Sequence, residues 1–202
     1  IPQLSFQEAT ELAYFGAKVL HPKTTKPASQ SRIPMLVKNI FAPEDAGTSI
    51  DHRTVSNSRI KAMTYKEDCA VITVTSSQTV MGYEFLYGVF DILRWHHLPV
   101  DVVTTTEASV SIAIADGATV NPAIEQLKSF GTVSLENEQG IISLIGCDVT
   151  SEQSLINDVL GQTTDGPVKL ISFSRSKGNL NLVMNSNQVE ETVKRIHQQL
   201  FQ

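Results

Sequence analysis

The chain has 202 residues, 41% of them hydrophobic and 18% charged, a composition that can bury a sizeable core and fits one or two domains. Its formal net charge of −5 and its 16 scattered Lys and Arg residues argue against a nucleic-acid face, which needs concentrated cationic side chains. No run reaches the roughly 18 to 20 apolar residues of a membrane span, and Ile1-Pro2-Gln3 opens no signal peptide, so neither nucleic acid nor membrane is an expected partner.

Ser5 and Glu8, three residues apart, predict a capping box for a helix carrying Ala9, Leu12 and Ala13 on one face, with Gly16 to end it. From Lys18 to Ile50, short apolar runs separated by Pro22, Pro27, Pro34 and Pro43 read as strand and loop, with no helix long enough to close a domain. Residues 45–58, rich in Gly, Asp, Thr, Asn and Ser, read as a linker, and a boundary is placed near 59. The absence of an initial Met suggests an excised or processed piece.

Beyond 59 the pattern becomes regular, with strand signals at 60–65, 70–76, 100–105, 109–115, 132–136, 140–146, 168–173 and 179–184. Four helices alternate with them. The first, 84–97, carries Leu86, Val89, Phe90 and Leu93 as its stripe. The second opens on Asn121 as N-cap with Pro122 at the first position and buries Ala123, Leu127 and Phe130. The third has Thr150 and Gln153 as capping box, Leu155, Ile156, Val159 and Leu160 inward, and Gly161 as its stop. The fourth starts at Asn187 and Glu190 and turns Val189, Val193, Ile196 and Leu200 inward.

Residues 70–136 therefore spell one complete βαββαβ unit of ferredoxin-like order, whereas 140–201 spell the same order without its last strand. The unassigned segment Ile60 to Tyr65 is the candidate for that strand, which makes the first unit an insertion within the second. The predicted class is α+β.

Recognised catalytic signatures are missing: the sequence contains no Walker loop, GxSxG, HExxH or CxxC. Adjacent His96 and His97 point in different directions on a helix and make no compact metal site, and His52 and His197 read as surface residues. Cys69 and Cys147 sit in apolar strand-like runs and read as buried, reduced thiols of a cytoplasmic protein. Lys18, His21 and Lys23 around a glycine turn could hold a phosphorylated nucleotide or be solvated surface charges.

A second segment suits a zwitterion. Backbone N–H groups around Gly82 to Leu86, at the start of a helix, favour a carboxylate, and Asp101 and Glu107 offer charge for an ammonium. The plainer alternatives are a solvated strand-end Asp101 and threonines chosen for β-propensity. In βαβ order Gly82 and Asp101 lie at opposite ends of the sheet, so one small ligand touches both only if a second copy packs head to tail.

The run Phe15-Gly16-Ala17-Lys18-Val19-Leu20-His21-Pro22 and the strand pair from Val100-Asp101-Val102-Val103-Thr104-Thr105-Thr106-Glu107 to Ser111 resemble the aspartate kinases. The likeness covers essentially the whole chain and is greatest to the lysine-sensitive class. It implies the C-terminal end of an α/β amino-acid-kinase domain and linker over 1–58, a first ACT domain over 67–138, and a second over 59–66 plus 139–202.

The family phosphorylates the β-carboxylate of aspartate with Mg-ATP. The resemblance implies that Lys18 and Val19 line the ATP site, with ATP and Mg needed only by the full-length enzyme. It also implies that Gly82, Phe85 and Leu86 take an effector carboxylate, that Asp101 and Glu107 take its amino groups, and that Val100, Thr105 and Thr106 shape the pocket. The implied effector is lysine, bound by a homodimer formed through the first ACT domain. The family's amino-terminal Lys-Phe-Gly-Gly-Thr-Ser motif is absent, so this chain alone has no expected catalytic residue and no turnover. Glu84 stands where lysine-sensitive members usually carry glycine, and its carboxylate would repel that of the effector unless turned to solvent. Two rivals remain: a non-catalytic ferredoxin-like binding module, and an ACT sensor of another amino-acid enzyme.

Overall fold

The computed structural model of the chain describes residues 1–16, 20–52, 60–77, 82–115, 120–146, 153–163, 166–174 and 178–201. The N-terminal segment contains β1 (Gln3–Ser5), α1 (Phe6–Tyr14), α2 (Pro22–Gln30), β2 (Met35–Val37) and β3 (Thr48–Asp51), with the strands ordered β1-β3-β2. The capping box at α1 is present: Glu8 N–H donates to Ser5 Oγ at 3.1 Å, and Ser5 N–H donates to the Glu8 carboxylate at 2.7 Å.

Two readings of this segment are corrected. Residues 22–30 are a helix, because Pro22 occupies its first turn, where no N–H is needed, and His21 Nδ1 accepts from Lys23 N–H at 3.1 Å as a cap. Pro27 inside it is tolerated because α2 packs on α1, with Thr25 buried and its hydroxyl 2.9 Å from that of Thr10. The predicted linker contains β3, whose Ile50 is buried among Leu4, Phe6 and Ala9.

The remainder forms a six-stranded sheet of order β5-β6-β4-β7-β9-β8. Its strands are β4 (Ala62–Ser76), β5 (Val100–Thr105), β6 (Ser109–Ala115), β7 (Gly131–Ile145), β8 (Leu170–Ser174) and β9 (Asn179–Asn185). The helices are α3 (Tyr83–Trp95), α4 (Asn121–Leu127), α5 (Gln153–Gly161) and α6 (Ser186–Phe201).

Four predicted strands have merged into two. β4 and β7 run antiparallel along their whole lengths, pairing Ala62–Lys66 with Ile145–Ile141 and Val71–Ser76 with Glu136–Gly131. Register shifts flank Cys69, and Asp68 and Glu138 adopt positive φ of 56°. Each strand thus accommodates one extra residue, which resets the alternation between the two halves. The first half of β4 is the strand missing from the second βαββαβ unit, and the first unit is inserted between it and the rest.

Both units turn their helices to the same side. Ile72, Val74 and Ile112 pack with Phe85, Val89 and Leu93 of α3 and Ala123 and Leu127 of α4. Ile142, Leu144, Leu180 and Leu182 pack with Leu155, Val159, Val189 and Ile196 of α5 and α6. On the other side the sheet curls until its edge strands β5 and β8 approach each other. Cys69, Val71, Val102, Ala113, Ile141, Leu170 and Val183 fill the concave face, with Phe15 from the end of α1 among them. Cys69 is buried, as expected, and its thiol donates to the Glu67 carbonyl at 3.7 Å, while Cys147 lies outside the described residues.

Smaller corrections concern helix details. α3 buries Phe85, Val89 and Leu93 and leaves Phe90 exposed, so its inward stripe is one position round from the predicted one. The close approach of α3 to Phe130 requires glycine at 88, where a Cβ would fall 2.3 Å from the Phe130 ring. The N-cap of α4 is Val120 in helical conformation, which places Asn121 inside the first turn. Thr150, the predicted cap of α5, lies outside the described residues. No helix among the described residues is long and apolar enough to cross a membrane.

Candidate functional site

The strand order fixes where the proposed effector residues stand. β5 runs parallel to the second half of β4 across β6, so Thr105 lies at the Ser76 end of the unit and Val100 at the other. Ser76 N–H donates to Ala108 O at 2.7 Å, which ties the β5–β6 hairpin to the segment leading into α3. Gly82, Phe85, Thr105, Thr106 and Glu107 therefore belong to one end. Val100 and Asp101 belong to the opposite end, separated from Gly82 by the length of α3, about 20 Å.

At the first end, α3 begins on Gly82 with extended backbone and no side-chain cap; Phe85 N–H turns back to the Gly82 carbonyl at 3.1 Å, which leaves the N–H groups of Tyr83 and Glu84 without an intrahelical partner. A pocket of about 210 Å³ lies there, lined by Ser76, Ser77, Gly82, Glu84, Phe85, Ser129 and Phe130. Phe85 is buried and meets Phe130 edge-on at 6.1 Å, which holds the pocket wall. Leu86 is half-buried and packs into the core of the unit. Glu84 is exposed on the rim, and nothing crowds a Cβ at Gly82. In the hairpin, Thr106 Oγ1 lies 2.8 Å from Ser109 Oγ and accepts from Ser109 N–H at 3.1 Å, which orients the exposed Glu107 next to it.

At the second end, Asp101 is not a solvated carboxylate. A register shift between Val100 and Val102 makes Asp101 a bulge in β5, and its side chain is only 4% exposed. Lys66 Nζ of β4 donates to its Oδ2 at 2.6 Å. Tyr14 OH of α1 donates to the adjoining Val100 carbonyl at 2.9 Å. Burial pushes the Tyr14 phenol above its ordinary value, and the neighbouring Asp101 charge adds to that shift. A cavity of about 380 Å³ opens beside this group, walled by Glu11 and Tyr14 of α1, Asp101, Ser172, Ser174 and Asn179.

Sequence reasoning missed Lys66 and Tyr14. Neither sits in a motif, and Lys66 lies in the polar stretch between two strand signals. Their relation to Asp101 exists only once β4, β5 and α1 are assembled. Lys18 and Val19, placed by resemblance at a nucleotide site, lie outside the described residues. Among the described residues no cluster of three or more His, Cys, Asp or Glu side chains could hold a metal. His52, exposed as expected, packs its ring 5.0 Å from Phe6, and exposed His197 stacks on Phe201.

No family model matches the chain. Among curated proteins it is 34% identical over 213 residues to aspartokinase 3, chloroplastic, of Arabidopsis thaliana, covering 100% of this chain and 38% of that protein. It is 29% identical over 210 residues to lysine-sensitive aspartokinase 3 of Escherichia coli, covering 100% and 47%. The chain thus spans less than half the length of these relatives. Among solved structures, Escherichia coli aspartokinase III with aspartate and ADP (R-state) superposes with TM-score 0.89 at 30% identity, covering 100% of this chain and 47% of that one. The same enzyme with lysine and aspartate (T-state) gives TM-score 0.81, at 30% identity and coverage of 100% and 46%. By sequence and by fold along its whole length, the chain is homologous to the aspartokinases and matches their regulatory part.

Proposed function

We propose that the chain is the regulatory region of an aspartate kinase, which senses an end-product amino acid, lysine, and passes that signal to a kinase domain converting ATP and aspartate to 4-phosphoaspartate. In this reading residues 1–58 close the kinase domain, with Lys18 and Val19 at the Mg-ATP site. Residues 67–138 form the first ACT domain, and 59–66 with 139–202 form the second.

The observation that carries the proposal is the α3 N-terminus, whose first two N–H groups, of Tyr83 and Glu84, have no intrahelical partner. Gly82 offers no side-chain cap, and the hairpin bearing Glu107 is tied to the same end by the Ser76–Ala108 hydrogen bond. Carboxylate acceptance and ammonium attraction thus stand together, which is the complement of an α-amino acid. Asp101, at the far end of the unit, reaches the same ligand from a second copy packed head to tail, so the effector sits in a homodimer interface. Thr105, Thr106 and Val100 shape its walls. Glu84 on the rim disfavours ligands with a second carboxylate.

Inhibition then follows from differential binding: an effector that prefers one arrangement of the paired sensors draws the kinase domain away from its competent state.

A thermal-shift panel with lysine, threonine, methionine and S-adenosylmethionine tests the sensor. A ligand at about a hundred times its dissociation constant adds roughly 2.7 kcal/mol of stability. No response to any of the four refutes the reading. Asp101→Asn is expected to abolish the lysine response with the fold retained; undiminished affinity in that variant removes Asp101 from the site.

A further inference from the structure

We infer that Lys66 sets the affinity of the effector site: its ammonium holds the Asp101 carboxylate, and an effector's amino group has to take its place. This rests on the reading of Asp101 as an acceptor for that amino group.

Three observations lead here. The Lys66–Asp101 contact is 2.6 Å long, and the Asp101 side chain keeps 4% of its surface while that of Lys66 keeps 28%. A carboxylate so enclosed has almost no surface left for a second ammonium, so an incoming amino group exchanges with Lys66 instead of adding to it. The half-open Lys66 side chain is the partner with room to leave.

The chemistry of the two competitors is the same. Lys66 presents a primary ammonium on an alkyl stem, the group an amino-acid effector brings. Competition from a tethered copy of the ligand's own functional group lowers apparent affinity by the fraction of time the acceptor is taken.

The exchange also has a reader. Lys66 leaves β4 just before the bulge at Asp68, where that strand passes from the second unit to the first, and Asp101 forms the bulge of β5. Tyr14 of α1 bonds the peptide carbonyl next to Asp101. Displacing Lys66 loosens a link between the units at the point where the N-terminal segment is attached to β5. Tyr14 is therefore a positioning residue for the response, and Lys66 a residue that tunes it.

Calorimetric titration of the full chain with L-lysine tests the inference in the wild type, Lys66→Met, Lys66→Arg and Asp101→Asn. Lys66→Met is expected to bind about tenfold more tightly than wild type, and Lys66→Arg, which keeps the cation, to stay close to wild type. Unchanged or weaker binding by Lys66→Met, with binding lost in Asp101→Asn, overturns the exchange and leaves the effector site standing. Undiminished binding by Asp101→Asn overturns both, as does no L-lysine binding by wild type and Lys66→Met alike. Should Lys66→Met fail to fold, reductive ¹³C-dimethylation of wild type gives a second readout that preserves the charge. The Lys66 resonance is expected to move to the solvated position at saturating L-lysine, and an unmoved resonance overturns the exchange.

Discussion

The two βαββαβ units share a sheet yet are attached to the N-terminal segment in different ways. The strands of the second unit meet it through enclosed polar bonds. Lys61, just before β4, pairs with Glu8 at 2.9 Å with both side chains at most 10% exposed. Asn179 of β9 donates to the Glu11 carboxylate at 2.6 Å in a buried position. Thr64 donates to the Phe15 carbonyl at 3.3 Å. The first unit touches the segment chiefly along β5, where half-exposed Tyr14 bonds Val100 and Phe15 packs on Val102. On the proposed reading the second unit is an anchor and the first, which would carry the ligand site, a lever.

The largest effect that separates them is expected at the anchor. Lys61→Met leaves the Glu8 carboxylate enclosed without its cation, a loss of roughly 3–5 kcal/mol, measurable as a shift in denaturation midpoint. If the midpoint moves by less than 1 kcal/mol equivalent, the second unit is not the anchor.

Gly88→Ala probes the lever from inside. The new methyl meets the Phe130 ring, so overpacking costs about 1–3 kcal/mol and shifts the wall of the α3 pocket. Weakened amino-acid response together with lowered stability is the expected pattern. A full response at unchanged stability would mean that Phe130 gives way freely.

The smallest effect belongs to the Tyr14 contact and changes with pH in alkali. Its phenol titrates higher folded than unfolded, so its stabilising contribution is complete below the unfolded value of about 10 and is lost as pH rises through the folded value. Tyr14→Phe is expected to flatten this alkaline loss and, by removing the hydrogen bond to the Val100 carbonyl, to lower stability near neutrality by about 0.5–1.5 kcal/mol. An identical alkaline slope in the two proteins would place the phenol outside any Asp101 influence.

Much of this organisation was readable along the chain because local chemistry dictates it. Ser5 and Glu8 marked the start of α1, and strand counting showed that the second unit lacked a strand which 60–65 could supply. The continuous β4 and β7 were hidden because Lys66-Glu67-Asp68 and Glu136-Asn137-Glu138-Gln139 look like polar turns, whereas they are bulges inside strands. The α2 helix was hidden by reading Pro22 and Pro27 as breakers, although packing on α1 supports them. At the candidate site, the separation of Gly82 from Asp101 followed from topology alone. The pairing of Asp101 with Lys66 did not, because no local pattern brings together residues of β4 and β5 that are not neighbours in the sheet.

The continuity of β4 and β7 also imposes an order of assembly. Lys66 and Ile141 pair directly although roughly 75 positions separate them, and closing such a loop from an unstructured chain costs on the order of 4 kcal/mol in entropy. Once the first unit has formed, its own pairing of Val71 with Glu136 delivers the two flanking segments side by side, and that cost has already been met. The inserted unit is thus expected to act as the folding template of the unit that surrounds it, so that a lesion in the core of the first slows the refolding of both, as stopped-flow refolding of such a variant would check.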